Sequence, residues 1–144
     1  MNEITIVTAF FDIGRSDWTP ERGLPHYLHR TTDTYFERFE YLAQLENPMV
    51  IFTSAEFVNT IKGIREGKPT DILTVDFKNS FKELRKAVSE VQTNPNYQAK
   101  INPMQVRNPE YWSADYVVVN ALKSSFVNQA IKRNLVQKIG RAHV

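Results

Sequence analysis

Two pairs of polar residues in this sequence have the types and the spacing to bind phosphate and hydroxyl groups. Asp12 and Arg15 follow an apolar run, and Asn120 and Lys123 stand three residues apart in a segment with helical periodicity. The guanidinium of Arg15 is a planar fork that fits a phosphate or carboxylate, and the Asp12 carboxylate can accept from a sugar or a base. Lys123 suits a phosphate, and Asn120 suits a ribose or sugar hydroxyl. The alternatives are a solvated turn for the first pair and an exposed polar stripe for the second.

The apolar run before the first pair is the segment Ile4–Phe11, which begins with five consecutive β-branched residues. Such a run predicts a strand that is covered on both faces, as in parallel sheets. Asp12 and Gly14 then predict a turn. Because ligands of open α/β sheets bind just beyond the carboxyl ends of the strands, this turn is a candidate binding loop.

A metal site is a weaker hypothesis. His26 and His29 stand three residues apart in a long loop, and Asp33 follows. Solvated loop histidines are commoner than ligands, so we favour that interpretation. The sequence contains no glycine-rich phosphate loop, no G-x-S-x-G elbow and no Asp-x-Asp pair.

A cluster of basic residues on a predicted helix offers a second surface for a partner. Lys78, Lys82, Arg85 and Lys86 share one face, which could meet anionic lipid or another acidic surface. Glu83 and Glu90 lie nearby and reduce the local charge. We therefore prefer a solvated outer face.

Composition limits the class of protein. The 144 residues suit one domain, and a net charge of +2 is too small to indicate a nucleic-acid partner. No cysteine is present, which excludes disulfides and thiolate metal sites. The amino terminus lacks the basic start of a signal peptide, and no stretch is long enough to span a membrane. We expect a cytoplasmic protein, with peripheral association at the inner face of the membrane as an option.

Strands and helices alternate along the sequence, which predicts an α/β fold with a mostly parallel sheet flanked by helices. Predicted strands are Ile4–Phe11, Met49–Thr53 and Asp71–Val75. Capping boxes at Thr34–Glu37, Thr53–Glu56 and Ser80–Glu83 predict helix starts. The third of these helices should direct Phe81, Leu84, Val88 and Val91 to the core. A long helix follows Ser113 and continues to about Leu135, with Val119, Leu122, Phe126 and Ala130 on one face.

Three segments resemble the HtrL/YibB family, which is also called the WlaTC/HtrL glycosyltransferases. They are Thr5–Arg15, Met49–Thr53 and Tyr111–Ser124, and the resemblance covers residues 4 to about 136 in the same order. It implies a GT-A-like (Rossmann-type) nucleotide-sugar fold. It also implies an enzyme that transfers a sugar from a nucleotide-sugar donor to a bacterial surface glycan, such as lipopolysaccharide.

The resemblance also implies a site. Phe11, Asp12 and Arg15 would border the nucleotide-sugar, and Asn120 and Lys123 would lie near the same cleft. The catalytic residues remain unassigned, and no metal ligand is assigned in this chain. A divalent cation (manganese or magnesium) would be held by residues that follow in the full-length enzyme.

Members of the family are longer than this chain, so we expect a domain truncated at its C-terminus and inactive alone. Residues 1–138 would form the nucleotide-sugar-binding half. Residues 139–144 resemble a translated sequencing adapter and would be a non-native tail. Two alternatives remain: another nucleotide-binding α/β enzyme, or a non-catalytic nucleotide- or partner-binding α/β domain that is complete at this length.

Overall fold

The computed structural model describes residues 4–133, which divide into two compact units. The first unit comprises residues 4–11, Asp33–Phe77 and 123–133, and the second comprises Asp12–Thr32 and Lys78–Leu122. The predicted boundary at residue 138 and the predicted tail 139–144 lie outside the described residues. The long helix that was predicted to continue to about Leu135 ends at Ile131.

A three-stranded parallel sheet forms the centre of the first unit. Its strands are β1 (Ile6–Phe10), β2 (Met49–Thr53) and β3 (Thr70–Thr74), in the order β1-β2-β3. Thr8 pairs with Ile51, which pairs with Ile72 on the other side. The predicted parallel sheet is therefore confirmed, although β1 is shorter at both ends and β3 begins one residue earlier than predicted.

One face of the sheet is covered by helices α1 (Thr32–Leu42) and α2 (Val58–Ile64). Met49, Ile51 and Ile61 are fully buried there. Partly buried apolar side chains pack against this cluster: Ile6, Phe36, Phe39, Phe57 and Ile72. Burial of these side chains removes apolar surface from water, which is the main favourable contribution to folding.

Aromatic residues fill the other face. The ring of Phe52 stacks on Phe126, with centroids 4.4 Å apart, and Phe11 stacks on Phe77 at 5.0 Å. Phe126 belongs to the long helix α5 (Ala114–Ile131), of which residues 123–131 lie in this unit. Phe126 and Ala130 are buried, as predicted. All five residues of β2 are buried, as expected of a strand covered on both faces.

A buried arginine joins the segments that lead into β2 and β3. Arg65 is only 2% exposed. Its Nη1 donates to the carbonyls of Ala43 and Leu45, and its Nη2 donates to those of Asn47 and Pro69. Its Nε donates to the Thr70 hydroxyl at 2.9 Å. All five N–H donors of the guanidinium are thus used, four of them by main-chain carbonyls.

The second unit contains α3 (Lys82–Gln92), the short α4 (Pro95–Gln98) and the first half of α5. Arg85 of α3 forms an ion pair with Asp115 of α5. Gln92 donates from Nε2 to the Glu110 carbonyl at 3.0 Å. Ser113 caps α5 as predicted, because its Oγ accepts from the Tyr116 amide at 3.2 Å.

The three predicted capping boxes are wrong. Helix α1 begins at Thr32, so Thr34 lies inside it. Thr53 is still part of β2, and its hydroxyl donates to the Phe10 carbonyl at 2.8 Å. Helix α3 begins at Lys82 after Phe81, which adopts a left-handed φ of 63° without a side-chain cap. After Thr53 and after Ser80, the helical segment begins one or more residues later than the predicted cap implies.

The predicted core face of α3 is also partly wrong. Leu84 is 41% exposed and Val91 is 51% exposed, whereas Gln92 is buried. The basic cluster contains exposed Lys78, Lys82 and Lys86, but Arg85 pairs with Asp115. The amphipathic pattern identified the helix correctly, but the packing of α3 is fixed by polar contacts to Asp115 and Glu110.

Candidate functional site

The turn after β1 is built by Asp12 and Gly14. Asp12 Oδ1 accepts a hydrogen bond from the Gly14 amide at 2.9 Å, and Gly14 has a φ of +87°. An Asp side chain that bonds the backbone two residues later mimics a turn, and only glycine adopts this φ without steric cost. Asp12 is exposed and stabilises the turn at the same time.

Substitution of Gly14 tests this local geometry. A Cβ at Gly14 would meet no atom within 4 Å, so the cost is backbone strain alone. We expect Gly14→Ala to lower the free energy of unfolding by about 1 kcal/mol. Gly63 of α2 is a matched control with an equally open Cβ position and no left-handed φ. Gly63→Ala should raise the free energy of unfolding by about 0.5 kcal/mol or more. Urea denaturation of both variants measures the difference, and equal effects would contradict it.

Arg15 holds the loop 12–32 together within the second unit. Its Nε donates to the Leu28 carbonyl at 3.1 Å, and its own carbonyl accepts from the amides of Trp18 and Arg30. Its guanidinium lies 5.2 Å from the centroid of the Trp18 ring, a cation–π arrangement. The loop forms three short 3-10 turns, at Arg15–Asp17, Pro20–Arg22 and His26–Leu28. Arg15 is thus held in a fixed position.

Aromatic side chains connect Arg15 to helix α5. Trp18 is 5% exposed and packs on Tyr116, with centroids 6.5 Å apart. The Tyr116 carbonyl accepts from Asn120 Nδ2 at 2.8 Å. Of the predicted site residues in the second unit, Asp12 and Arg15 therefore lie in one loop, whereas the side chain of Asn120 bonds the backbone of its own helix.

The other two predicted site residues belong to the first unit. Phe11 is 6% exposed and packs between Phe77 and Phe126, so its ring is part of the core. Lys123 lies on α5 and is exposed. The assignment of all five residues to a nucleotide-sugar site stays a prediction.

Sequence reasoning missed the aromatic neighbours of Arg15. Trp18 packs edge-to-face on Trp112, with centroids 4.9 Å apart, in addition to its contact with Tyr116. The only signal in the sequence was the proximity of Trp18 to Arg15. The contact with Trp112 joins segments more than ninety residues apart, and no local pattern identifies such a pair.

The first unit also contains an apolar cavity of about 320 Å³ beside β1 and α1. Phe10, Tyr35, Phe36 and Phe39 contribute to its wall, and Arg38 adds the one charged side chain among its lining residues. A predominantly apolar wall suits hydrophobic groups better than a diphosphate, which needs several donors.

Two further features concern metals and membranes. Within residues 4–133, no group of three or more histidine, aspartate or glutamate side chains could hold a metal ion. In the same part of the chain, every helix is too short or too polar to cross a bilayer.

The first unit defines an α/β protein with a parallel sheet covered by helices on both faces, and a charged turn follows its first strand. A family model described as a bacterial protein of unknown function (HtrL_YibB) matches residues 2–142. The chain is 46% identical over 133 residues to Protein HtrL of Escherichia coli (strain K12). It therefore belongs to the HtrL/YibB family, as the sequence resemblance predicted. The aligned region is 92% of this chain and 47% of that relative, so the chain spans about half its length. No solved structure matches the chain.

Proposed function

We propose that the full-length protein is a GT-A-like glycosyltransferase that transfers a sugar from a nucleotide-sugar to a bacterial surface glycan such as lipopolysaccharide. The observation that carries the proposal is the turn beyond the carboxyl end of β1, where the parallel sheet leads into Asp12 and Arg15. In α/β sheets this edge is where ligands bind. The family resemblance supplies the reaction class.

The roles of the residues follow from their chemistry. Arg15 and Lys123 would bind the diphosphate, because cations offset its charge and a guanidinium can contact two oxygens at once. Asp12 and Asn120 would bind base, ribose or sugar hydroxyls. A divalent cation, manganese or magnesium, would supply further stabilisation of the departing diphosphate. Neither the ligands of this cation nor the catalytic groups are assigned to residues of this chain.

The contribution of Arg15 can be measured by substitution in the full-length protein. We expect Arg15→Ala to weaken nucleotide-sugar binding by about 1.5–3 kcal/mol, the scale of a hydrogen bond to a charged group. Arg15→Lys keeps the charge but not the fork, so it should recover only part of the affinity. Calorimetry with a panel of nucleotide-sugars measures both.

Arg22 provides the control for loop integrity. It lies in the same loop, is exposed, and donates to the Asp17 carbonyl at 3.2 Å. Arg22→Ala should leave nucleotide-sugar affinity unchanged. Equal affinities for the wild type and Arg15→Ala would remove Arg15 from the site, and equal losses for both alanine variants would indicate a loop effect.

Transfer itself is tested with the full-length protein, because this chain spans about half of its relative. The protein is incubated with nucleotide-sugars and rough-type lipopolysaccharide, with manganese or magnesium, and the products are analysed by mass spectrometry. A mass increase of one sugar supports the proposal. Nucleotide-sugar binding without transfer would favour the non-catalytic binding domain.

A further inference from the structure

A partly exposed surface of the second unit combines three aromatic rings with one amide and one guanidinium side chain. It consists of Tyr97, Gln105, Arg107, Tyr111 and Trp112, and we call it the amide–aromatic surface. Trp112 is 38% exposed, although tryptophan is usually well buried. Six of the 19 residues from Asn94 to Trp112 are asparagine or glutamine. Of these five residues, only Trp112 contacts the surroundings of the candidate nucleotide-sugar site, through the ring of Trp18.

Hydrogen bonds hold this surface in one conformation. Trp112 Nε1 donates to the Arg107 carbonyl at 2.9 Å, and the Tyr111 hydroxyl donates to Gln105 Oε1 at 3.4 Å. The rings of Tyr97 and Tyr111 lie 6.4 Å apart. Consecutive turn bonds connect the backbone beneath them, from Asn102 through Gln105 and Asn108 to Tyr111. A site that is already ordered loses little conformational entropy when it binds a ligand.

We propose that the amide–aromatic surface binds an oligosaccharide and serves as the docking site of the acceptor glycan. Pyranose rings have C–H faces that can pack on aromatic rings, and their hydroxyls both donate and accept hydrogen bonds. The side-chain amide of Gln105 can both donate a hydrogen bond to a hydroxyl and accept one from it, and the Arg107 guanidinium adds further donors. The choice of glycan rests on the proposed function, but the binding site itself does not.

Charge and polarity disfavour other ligands at this surface. Lys100, Arg107 and Glu110 give the segment from Asn94 to Trp112 a net charge of only +1, from two cations and one anion, which is too small for a polyanion. A lipid interior would desolvate its amide groups without compensating hydrogen bonds. Met104 is 93% exposed and Val106 is 50% exposed in the same segment, so a protein partner is the competing occupant.

The test uses the full-length protein and the oligosaccharide released from rough-type lipopolysaccharide by mild acid, without any nucleotide-sugar. Binding is followed by saturation-transfer NMR and by calorimetry. We expect Trp112→Ala to weaken oligosaccharide binding by up to about tenfold, the scale of one lost stacking contact. Trp112→Phe should retain most of the affinity, because a ring remains. Gln105→Ala should weaken binding without altering the packing of Trp112 on Trp18.

Tyr41 provides a matched control, since it is an aromatic residue of α1 that is 78% exposed. Tyr41→Ala should leave oligosaccharide binding unchanged, and Gln105→Ala should leave nucleotide-sugar affinity unchanged. Absence of oligosaccharide binding by the folded wild type, or binding that Trp112→Ala and Gln105→Ala do not affect, would overturn the inference. Self-association that Trp112→Ala abolishes, with no oligosaccharide binding, would assign the surface to a protein partner instead. Because no donor is present, binding is measured separately from transfer: oligosaccharide binding that depends on Trp112 and Gln105, without transfer, would contradict the proposed function and support this inference.

Discussion

Replacement of Arg65 by methionine is expected to lower the free energy of unfolding by more than about 3 kcal/mol, which is a large effect for a single substitution. The guanidinium is 2% exposed and donates to four carbonyls and one hydroxyl. Methionine has a similar length but no donors, so all five acceptors would lose their bond to residue 65. The Pro69 carbonyl would keep its bond from the Met49 amide, whereas the bonds to the carbonyls of Ala43, Leu45 and Asn47 would be lost without a replacement in the protein. Each buried acceptor left without a hydrogen bond costs about 1–3 kcal/mol.

Burial of this cation also has a cost, which the hydrogen bonds offset. Desolvation lowers the pKa of Arg65 from its usual value, and the nearby charge of Glu46 acts in the opposite direction. The main stabilising partners are therefore carbonyl dipoles. Arg65→Lys keeps the charge but has three donors for five acceptors, so it should lose a substantial part of the stability.

Urea denaturation followed by circular dichroism measures these effects. Lys62→Met is the matched control, because Lys62 is an exposed cation on the same helix, α2. Its effect should lie within about 0.5 kcal/mol of zero. If Arg65→Met and Lys62→Met have similar midpoints, the hydrogen bonds of Arg65 do not stabilise the fold.

Replacement of Phe126 by alanine should lower the free energy of unfolding by about 3–5 kcal/mol, the range for large-to-small substitutions in a core. Phe126 is 3% exposed, and its ring stacks on Phe52, with an angle of 18° between the planes. It also lies 5.9 Å from the ring of Phe11. Alanine would remove both contacts and leave a cavity on this face of the sheet.

Val127 is the control for this prediction, because it is the next residue of α5 and is 45% exposed. Val127 is about half exposed, and alanine has the higher helix propensity, so Val127→Ala should have a much smaller effect than Phe126→Ala. Phe126→Leu should recover part of the loss, since it refills much of the volume. Thermal and urea unfolding of the three variants measure these changes in the free energy of unfolding. A small effect of Phe126→Ala would mean that α5 does not cover the sheet through this residue.

Arg65 occupies the opposite end of the strands from the candidate binding turn. Its acceptors precede or begin β2 and β3, at the amino ends of these strands, whereas Asp12 follows the carboxyl end of β1. We therefore expect substitutions of Arg65 to reduce stability without a specific effect on ligand affinity. Substitutions of Arg15 should instead reduce ligand affinity. Any effect that they have on stability should come from the contribution of Arg15 to the order of the loop.

The sequence by itself determined the alternation of strands and helices and the parallel sheet. Apolar runs such as Met49–Thr53 predict a doubly covered strand because burial on both faces leaves no polar alternation. The sequence also indicated the cap at Ser113, the buried face with Phe126, and the family. The cap and the face depend on residues close together in the chain, and the family depends on motifs that occur in a given order along it. The turn at Asp12 and Gly14 was predictable for the same reason: the preference of glycine for a positive φ is local.

Only the tertiary structure decided the starts of the three earlier predicted helices, the role of Arg65 and the surroundings of Arg15. Thr53 could cap a helix, but its hydroxyl donates to Phe10 on the neighbouring strand instead. Arg65 resembles any solvated arginine in the sequence, because its acceptors are main-chain carbonyls that every residue possesses. The contact of Trp18 with Trp112 joins distant segments. In each case the deciding partner lies far away in the sequence or belongs to the backbone, so residue types alone carry no record of it.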